Sequence, residues 1–263
     1  MRIVRFSPGP NSGLGTDPLF GLLEEDGTNI SVIAGDPIYA GVSKTGAVTQ
    51  LSDVRLLAPV IPRSKVVCIG KNYADHAAEM NSEVPSEPII FLKPNTSVIG
   101  PMDTIVWPSM SERVDHEAEL AIVIGRICKD VPRERVNDVI FGYTIANDVT
   151  ARDLQKKDGQ WSRAKGFDTF CPIGPWIDTD FIPGNQRITA KVNEDQKQDA
   201  RLNQMIFGIP EIVQFVSQVM TLLPGDVILT GTPAGIGPLQ PQGTVTVAIE
   251  GLGELTNRVS AHG

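Results

Sequence analysis

Cysteine is scarce in this 263-residue chain: Cys68, Cys128 and Cys171 stand far apart and in no Cys-x-x-Cys pattern. That argues against a disulfide framework and a zinc knuckle, and it fits a reducing compartment. Each cysteine reads as a small buried apolar residue. Positive charge is also in short supply. Lys and Arg number 23 against 31 Asp and Glu, a formal net charge of −8, which makes nucleic acid or an anionic membrane a poor partner. A local basic pocket for a small anion is compatible with that total, since net charge does not describe a cleft. No apolar run approaches the length of a membrane span, and the opening Met1-Arg2-Ile3-Val4-Arg5-Phe6-Ser7-Pro8 meets proline too early for a signal h-region. The expectation is a soluble, cytoplasmic protein with neither a membrane nor a nucleic-acid partner.

Glycine and proline are plentiful, at 25 and 20 residues, and the apolar runs are short. Residues 1–60 are turn-rich, with runs such as Ile30-Ser31-Val32-Ile33, and suggest a small N-terminal β domain. Pro59 and Pro62 then link to a second unit, 61–263. There Val66–Gly70, Ile89–Leu92, Gly142–Asn147, Asp226–Thr230 and Thr244–Ile249 read as strands. Asn72 is placed to cap a helix, with Asp75 at its third position. Apolar residues at 212, 213, 216, 219 and 220 fit one face of another helix. Residues 155–164, polar around Gly159, read as a mobile loop or lid. The fold class is β-rich α+β.

Glu117 and Glu119 lie in Asp115-His116-Glu117-Ala118-Glu119-Leu120-Ala121-Ile122-Val123-Ile124-Gly125, a strand-like stretch. Alternate residues share a face, so the two carboxylates point the same way. Side by side on a largely buried strand they repel each other and lose hydration, and a cation between them is the simplest remedy. Asp148, ending another strand, supplies a third ligand. Three hard oxygens without a Cys or His cluster suit Mg²⁺, Mn²⁺ or Ca²⁺ better than Zn²⁺. Glu-x-Glu by itself more often marks a solvated strand face or structural ion pairs; the apolar run after it shifts the balance. His116 is a candidate donor behind the pair, with a surface histidine the plainer reading.

His76 and Glu79 are three apart, hence neighbours on a helix. A carboxylate beside an imidazole fixes its tautomer and raises its basicity, although spacing alone favours an ordinary surface pair. Arg152 either holds a substrate carboxylate or pairs with Asp153 or Asp148. Lys165 either faces the carboxylates, where it would stabilise a developing enolate, or is a solvated loop lysine. The turn Leu229–Gly237 offers the N–H of Gly231 and the hydroxyl of Thr232 to a carboxylate.

Taken together and in this order, Gly70–Met80, Phe91–Pro94, His116–Gly125, Asp148–Asp153, Ala164–Asp168 and Leu229–Gly237 resemble the fumarylacetoacetate hydrolase family. The likeness covers roughly residues 62–260, and the first sixty residues resemble the small, variable N-terminal domain of many bacterial members. It is nearest the short branch of acylpyruvate hydrolases, oxaloacetate decarboxylases and 2-hydroxyhepta-2,4-diene-1,7-dioate isomerases. The resemblance implies a mixed β-roll catalytic domain and a homodimer. It implies Mg²⁺ or Mn²⁺ on Glu117, Glu119 and Asp148, a water-activating His76–Glu79 pair, an active-site Lys165, and Thr232 as a substrate contact. The implied reaction cleaves a C–C bond of a 3-acylpyruvate, of fumarylpyruvate or acetylpyruvate type, or decarboxylates oxaloacetate through a pyruvate enolate held at the metal. The alternatives are isomerisation of the heptadienedioate in aromatic catabolism and, further off, an inactive ligand-binding member of the fold.

Overall fold

The structure, a computed structural model, describes residues 1–10, 12–80 and 82–261. It is α+β and dominated by strands. Among the described residues the largest sheet has twelve strands. Its main path runs Lys44–Gln50, Asn29–Ile33, Leu19–Leu23, Arg2–Pro8, Cys171–Asp178, Ile140–Asn147, Ala118–Ile124, Val227–Leu229, Val66–Gly70 and Ile89–Lys93. Pairing is antiparallel along this path except between Val227–Leu229 and Val66–Gly70, which run parallel. The N-terminal strands join the rest edge to edge, through Arg2 opposite Asp178 and Ile3 opposite Ile177.

The strand Ala118–Ile124 is buried along its whole length, and its two faces feed different cores. Ala118, Leu120, Ile122 and Ile124 pack with Ile188, Ala190, Val247 and Ile249 of a second, five-stranded sheet and with Ile212, Val213 and Val216 of the helix Ile209–Val219. Ala121 and Val123 pack with Val66, Cys68, Val227 and Leu229. Full burial of such a side chain contributes about 1.5–3 kcal/mol, so this strand cannot slip by one residue without exchanging two cores. Glu117 and Glu119 have the parity of Ala121 and Val123. The sheet thereby drives two carboxylates to the end of an apolar face.

Three local expectations need correction. Asn72 does not cap its helix: Ala74–Glu79 is preceded by Tyr73, with no side-chain cap. The Asn72 side chain is instead buried. It donates to the carbonyls of Phe207 (3.0 Å) and Thr230 (2.7 Å) and accepts from the Phe207 N–H (2.7 Å), tying the site's glycine-ended strand to the chain near 207. Residues 155–164 are not an irregular loop. They span the end of one short helix, Arg152–Asp158, the turn at Gly159, and the start of another, Ser162–Gly166. Between them Trp161 packs edge-on to Phe91, ring centres 5.2 Å apart. Val219, on the apolar face of its helix by spacing, is exposed at the helix end. No helix among the described residues is long and apolar enough to cross a membrane.

Candidate active site

The chain leaves the strand Val114–His116 at Glu117 and re-enters the sheet at Ala118. Two bonds fix this joint: the Glu117 N–H donates to Asn147 Oδ1 (3.0 Å) and the Asp148 N–H to the Glu117 carbonyl (2.9 Å). They bring the end of the strand Ile140–Asn147 against the diglutamate segment. Glu117, Glu119 and Asp148 are all buried, and a ligand oxygen of each lies within 4.8 Å of the others.

Positive charge surrounds the trio unevenly. Lys165 Nζ bridges Glu117 Oε2 (2.8 Å) and Asp148 Oδ2 (2.6 Å). Lys93 Nζ reaches Asp148 Oδ1 (2.6 Å), and Arg152 Nη2 reaches Glu117 Oε1 (2.6 Å). Glu119 forms no ion pair among the described residues; its hydrogen bond is from the Gly231 N–H, at 2.6 Å, and the Lys165 charge only partly offsets its burial. The electrostatics follow. Burial pushes the Glu117 carboxyl up, but Lys165 and Arg152 outweigh it and hold the group well below the usual range. Burial, then the charges of Asp148 and Glu117, drive the Glu119 carboxyl well above its usual value. An all-oxygen donor set with one uncompensated buried carboxylate fits a hard divalent cation.

A cavity of about 190 Å³ opens over the trio, lined among others by His76, Phe91, Arg152, Gln155, Trp161 and Thr232. That is below the roughly 300–1,000 Å³ of sites for drug-sized ligands and suits a small metabolite. His76 and Glu79 are paired, Nδ1 to Oε2 at 3.2 Å. Glu79 is held in turn by the Gly235 N–H, 3.2 and 3.3 Å from its two oxygens. His76 Nε2 makes no hydrogen bond among the described residues, and His76 lines the cavity. A second cavity, of about 240 Å³, adjoins the first; Arg152, Lys156 and Met80 line both, and Arg113 borders the second. A larger cleft of about 1,030 Å³ lies elsewhere, between Met1-Arg2 and Phe181-Ile182. It contains none of the candidate site residues.

The structure brings every expected site residue to this one region, though several are engaged differently. Arg152 pairs with neither Asp153 nor Asp148: Asp115 takes its Nε (2.9 Å), Glu117 its Nη2 and Gln155 its Nη1 (2.6 Å). It braces Glu117 while lining both cavities. The Gly231 N–H is occupied by Glu119 and is not open to a substrate. Its φ of +98° and the 2.6 Å approach that a Cβ would make to Asn72 Cβ explain the glycine. His116 is wholly buried, not a surface residue, with Nδ1 3.1 Å from Gln198 Oε1. Lys93 and Gln198 join the expected residues at the site. Lys93 carried a signal, a lysine closing the apolar run Ile89–Leu92; Gln198, in the polar segment 195–201, carried none.

Comparison with known proteins agrees with this geometry. The fumarylacetoacetate (FAA) hydrolase C-terminal family pattern matches residues 65–260, and an Rv2993c-like N-terminal pattern matches residues 1–59. The chain belongs to the fumarylacetoacetate hydrolase family. It is 58% identical over 222 residues to protein Rv2993c of Mycobacterium tuberculosis, covering 83% of each chain. It is 44% identical over 219 residues to the mitochondrial oxaloacetate tautomerase Fahd2a of Rattus norvegicus, covering 79% of this chain and 70% of the relative. The crystal structure of 2-hydroxyhepta-2,4-diene-1,7-dioate isomerase from Mycobacterium marinum superposes with a TM-score of 0.89 at 49% identity, covering 100% of this chain and 99% of that one. Fumarylpyruvate hydrolase from Pseudomonas aeruginosa, solved in complex with Mn²⁺ and pyruvate, gives a TM-score of 0.72 at 33% identity, covering 78% and 91%.

Proposed function

We propose that this chain is a divalent-metal-dependent enzyme that moves a proton between carbon and oxygen of a small 2-oxo diacid, interconverting its enol and keto forms. The observation that carries the reading is that a glutamate-oriented imidazole and a buried acidic trio line one small cavity. Glu117, Glu119 and Asp148 would hold Mg²⁺ or Mn²⁺, which when bound supplies Lewis-acid polarisation of the 2-oxo group. His76, with Nδ1 pinned by Glu79, offers Nε2 to take or return the proton at the carbon beside that group. Lys165 places an ammonium beside the oxygen on which negative charge develops. Thr232 receives the adjacent carboxylate. Arg113 and Lys156, on the adjoining cavity, suit the second carboxylate of a diacid, and Lys156 has no ion-pair partner among the described residues.

The names of two relatives support proton relocation: a tautomerase of oxaloacetate at 44% identity and an isomerase of a hydroxydienedioate at 49%. Cleavage of a 3-acylpyruvate is the second reading. The same His76–Glu79 pair can activate water, and the relative that carries Mn²⁺ and pyruvate is a fumarylpyruvate hydrolase.

The test uses metal-stripped protein before and after Mg²⁺, with Mg²⁺ alone as control. Accelerated loss of the oxaloacetate enol absorbance without pyruvate release supports tautomerisation. Pyruvate release from acetylpyruvate moves the assignment to hydrolysis. If neither follows metal addition, both readings fail.

A further inference from the structure

Gln198 is the sole fully buried side chain of the strand Asp195–Arg201, whose other residues are exposed or half-exposed. The cause is a bulge. Ala190 pairs with Gln198, but the next residue, Lys191, pairs with Gln196. The extra residue, Lys197, re-aims the chain and turns Gln198 inward. The 231–237 turn closes onto this point: a Cβ at Gly235, where φ is +96°, would meet the Lys197 carbonyl at 2.1 Å.

The Gln198 amide cannot be flipped. Its Oε1 accepts the Ala118 N–H (2.9 Å) and its Nε2 donates to the Pro233 carbonyl (2.8 Å), so a backbone donor and a backbone acceptor fix which end is which. The second Nε2 proton goes to Thr232 Oγ1, at 2.8 Å. A hydroxyl that accepts there has one proton to give elsewhere. Thr232 Oγ1 makes no hydrogen bond as a donor among the described residues, and Thr232 lines the cavity over the acidic trio.

We propose that Gln198 is a positioning residue that sets the hydrogen-bond polarity of Thr232, turning its hydroxyl proton into the cavity toward an anionic oxygen of the substrate. The same amide grips the Ala118 N–H, between Glu117 and Glu119, so one side chain registers the substrate-facing turn against the acidic segment. A buried hydroxyl fixed as a donor recognises a carboxylate and gives nothing to a cation or to an apolar group. The inference rests on the reading of the cavity as a 2-oxo acid site.

The probe is oxalate, a two-carboxylate analogue of a planar pyruvate enolate, titrated by calorimetry into Mg²⁺-loaded protein. Gln198→Glu is close to isosteric but places an acceptor where Nε2 stood, so the Thr232 hydroxyl turns to donate to it and away from the cavity. Oxalate binding is expected to weaken about tenfold or more, the effect of losing one hydrogen bond to a charged group. Thr232→Val should weaken it similarly, and Thr232→Ser should retain it. In the Thr232→Val background Gln198→Glu should cause no further loss, a non-additivity that general damage to the fold does not produce. Wild-type oxalate affinity in Gln198→Glu, or full additivity of the two effects, overturns the role of Gln198. If Gln198→Glu does not fold, Gln198→Met is carried through the same cycle. Failure of the wild-type protein to bind oxalate with Mg²⁺ overturns the reading of the cavity itself, and this inference with it.

Discussion

Lys165 and Asp148 are joined inside the protein, with Nζ 2.6 Å from Oδ2 and both side chains almost fully buried. The lysine also touches Glu117, and it leaves Glu119 with only a backbone N–H. Burial pulls the Lys165 ammonium down, but Asp148 and Glu117 more than restore it, and its pKa ends above the ordinary value. A cation belonging to the chain already answers part of the charge on the trio.

Lys165 should therefore matter most when the metal is absent. Lys165→Met removes the cation shared by Glu117 and Asp148, leaving Arg152 on the first and Lys93 on the second. Breaking a buried pair costs up to about 3–5 kcal/mol, and the two remaining cations reduce that here. The melting temperature of metal-stripped Lys165→Met should fall well below that of stripped wild type, and Mg²⁺ should recover more of the difference than it adds to wild type. Equal shifts with and without Mg²⁺ would contradict the shared charge balance.

Glu119→Gln separates stability from function. Glutamine keeps the acceptor for the Gly231 N–H and removes the carboxylate that no cation neutralises. Stripped Glu119→Gln should melt higher than stripped wild type, by about 2–4 °C for each kcal/mol gained at this size, while losing most Mg²⁺ affinity and turnover. A lower melting point together with undiminished Mg²⁺ binding would remove Glu119 from the ligand set.

The same carboxyl sets a pH dependence for the metal-free protein. Its folded pKa lies well above the ordinary 4.5, so the folded state binds this proton more tightly than the unfolded chain does. The resulting stability is fully present below 4.5 and is lost as pH rises through the raised value. Glu117, held below the ordinary 4.5, acts oppositely: its contribution is present above 4.5 and is lost as pH falls through the depressed value. Melting curves of stripped protein should show a loss on raising the pH above 4.5 that Glu119→Gln abolishes and Mg²⁺ suppresses. An unchanged profile in Glu119→Gln would assign the loss to another group.

In the proposed diacid reading, Lys156 and Arg113 receive the second carboxylate. Lys156→Ala should raise KM for oxaloacetate severalfold and weaken oxalate binding much less, because the side chain lines both cavities but makes no ion pair with any of the three carboxylates. A matching loss for both ligands would place Lys156 at the metal-proximal carboxylate.

Much of this was legible in the chain. Strict alternation in Glu117–Val123 placed both glutamates on one face, and i,i+3 spacing paired His76 with Glu79, because strand and helix periods are local properties. What escaped depends on contacts between distant segments. Asn72 read as a helix cap because its neighbours looked like one, yet its partners are 135 and 158 residues away. Gln198 sits in a polar strand that reads as solvated, and only the bulge at Lys197 turns it inward. Asp148 and Asp153 are the carboxylates near Arg152 in sequence, yet its partners in the fold are Asp115 and Glu117, which approach it across the antiparallel pairing of Val114–Ala151 and Asp115–Thr150.

His76→Ala should divide the reactions open to this site. Proton transfer and hydrolysis both need the imidazole, the first to move a proton at carbon and the second to activate water, whereas the C–C cleavage that decarboxylates oxaloacetate needs neither, and the enolate it leaves can take its proton from solvent. General acid–base catalysis typically contributes 10²–10⁴-fold. Enol–keto exchange and any acetylpyruvate cleavage should fall by about that range, while Mg²⁺ and oxalate affinity and any oxaloacetate decarboxylation change little. Glu79→Gln should show a milder loss, since the amide still meets Nδ1 and the Gly235 N–H but no longer favours the charged ring. Stopped-flow enol decay, coupled pyruvate detection and oxalate titration on the same preparations provide the three readouts. Equal losses in all reactions, with oxalate binding weakened in parallel, would make His76 a structural part of the cavity wall and remove it as the proton carrier.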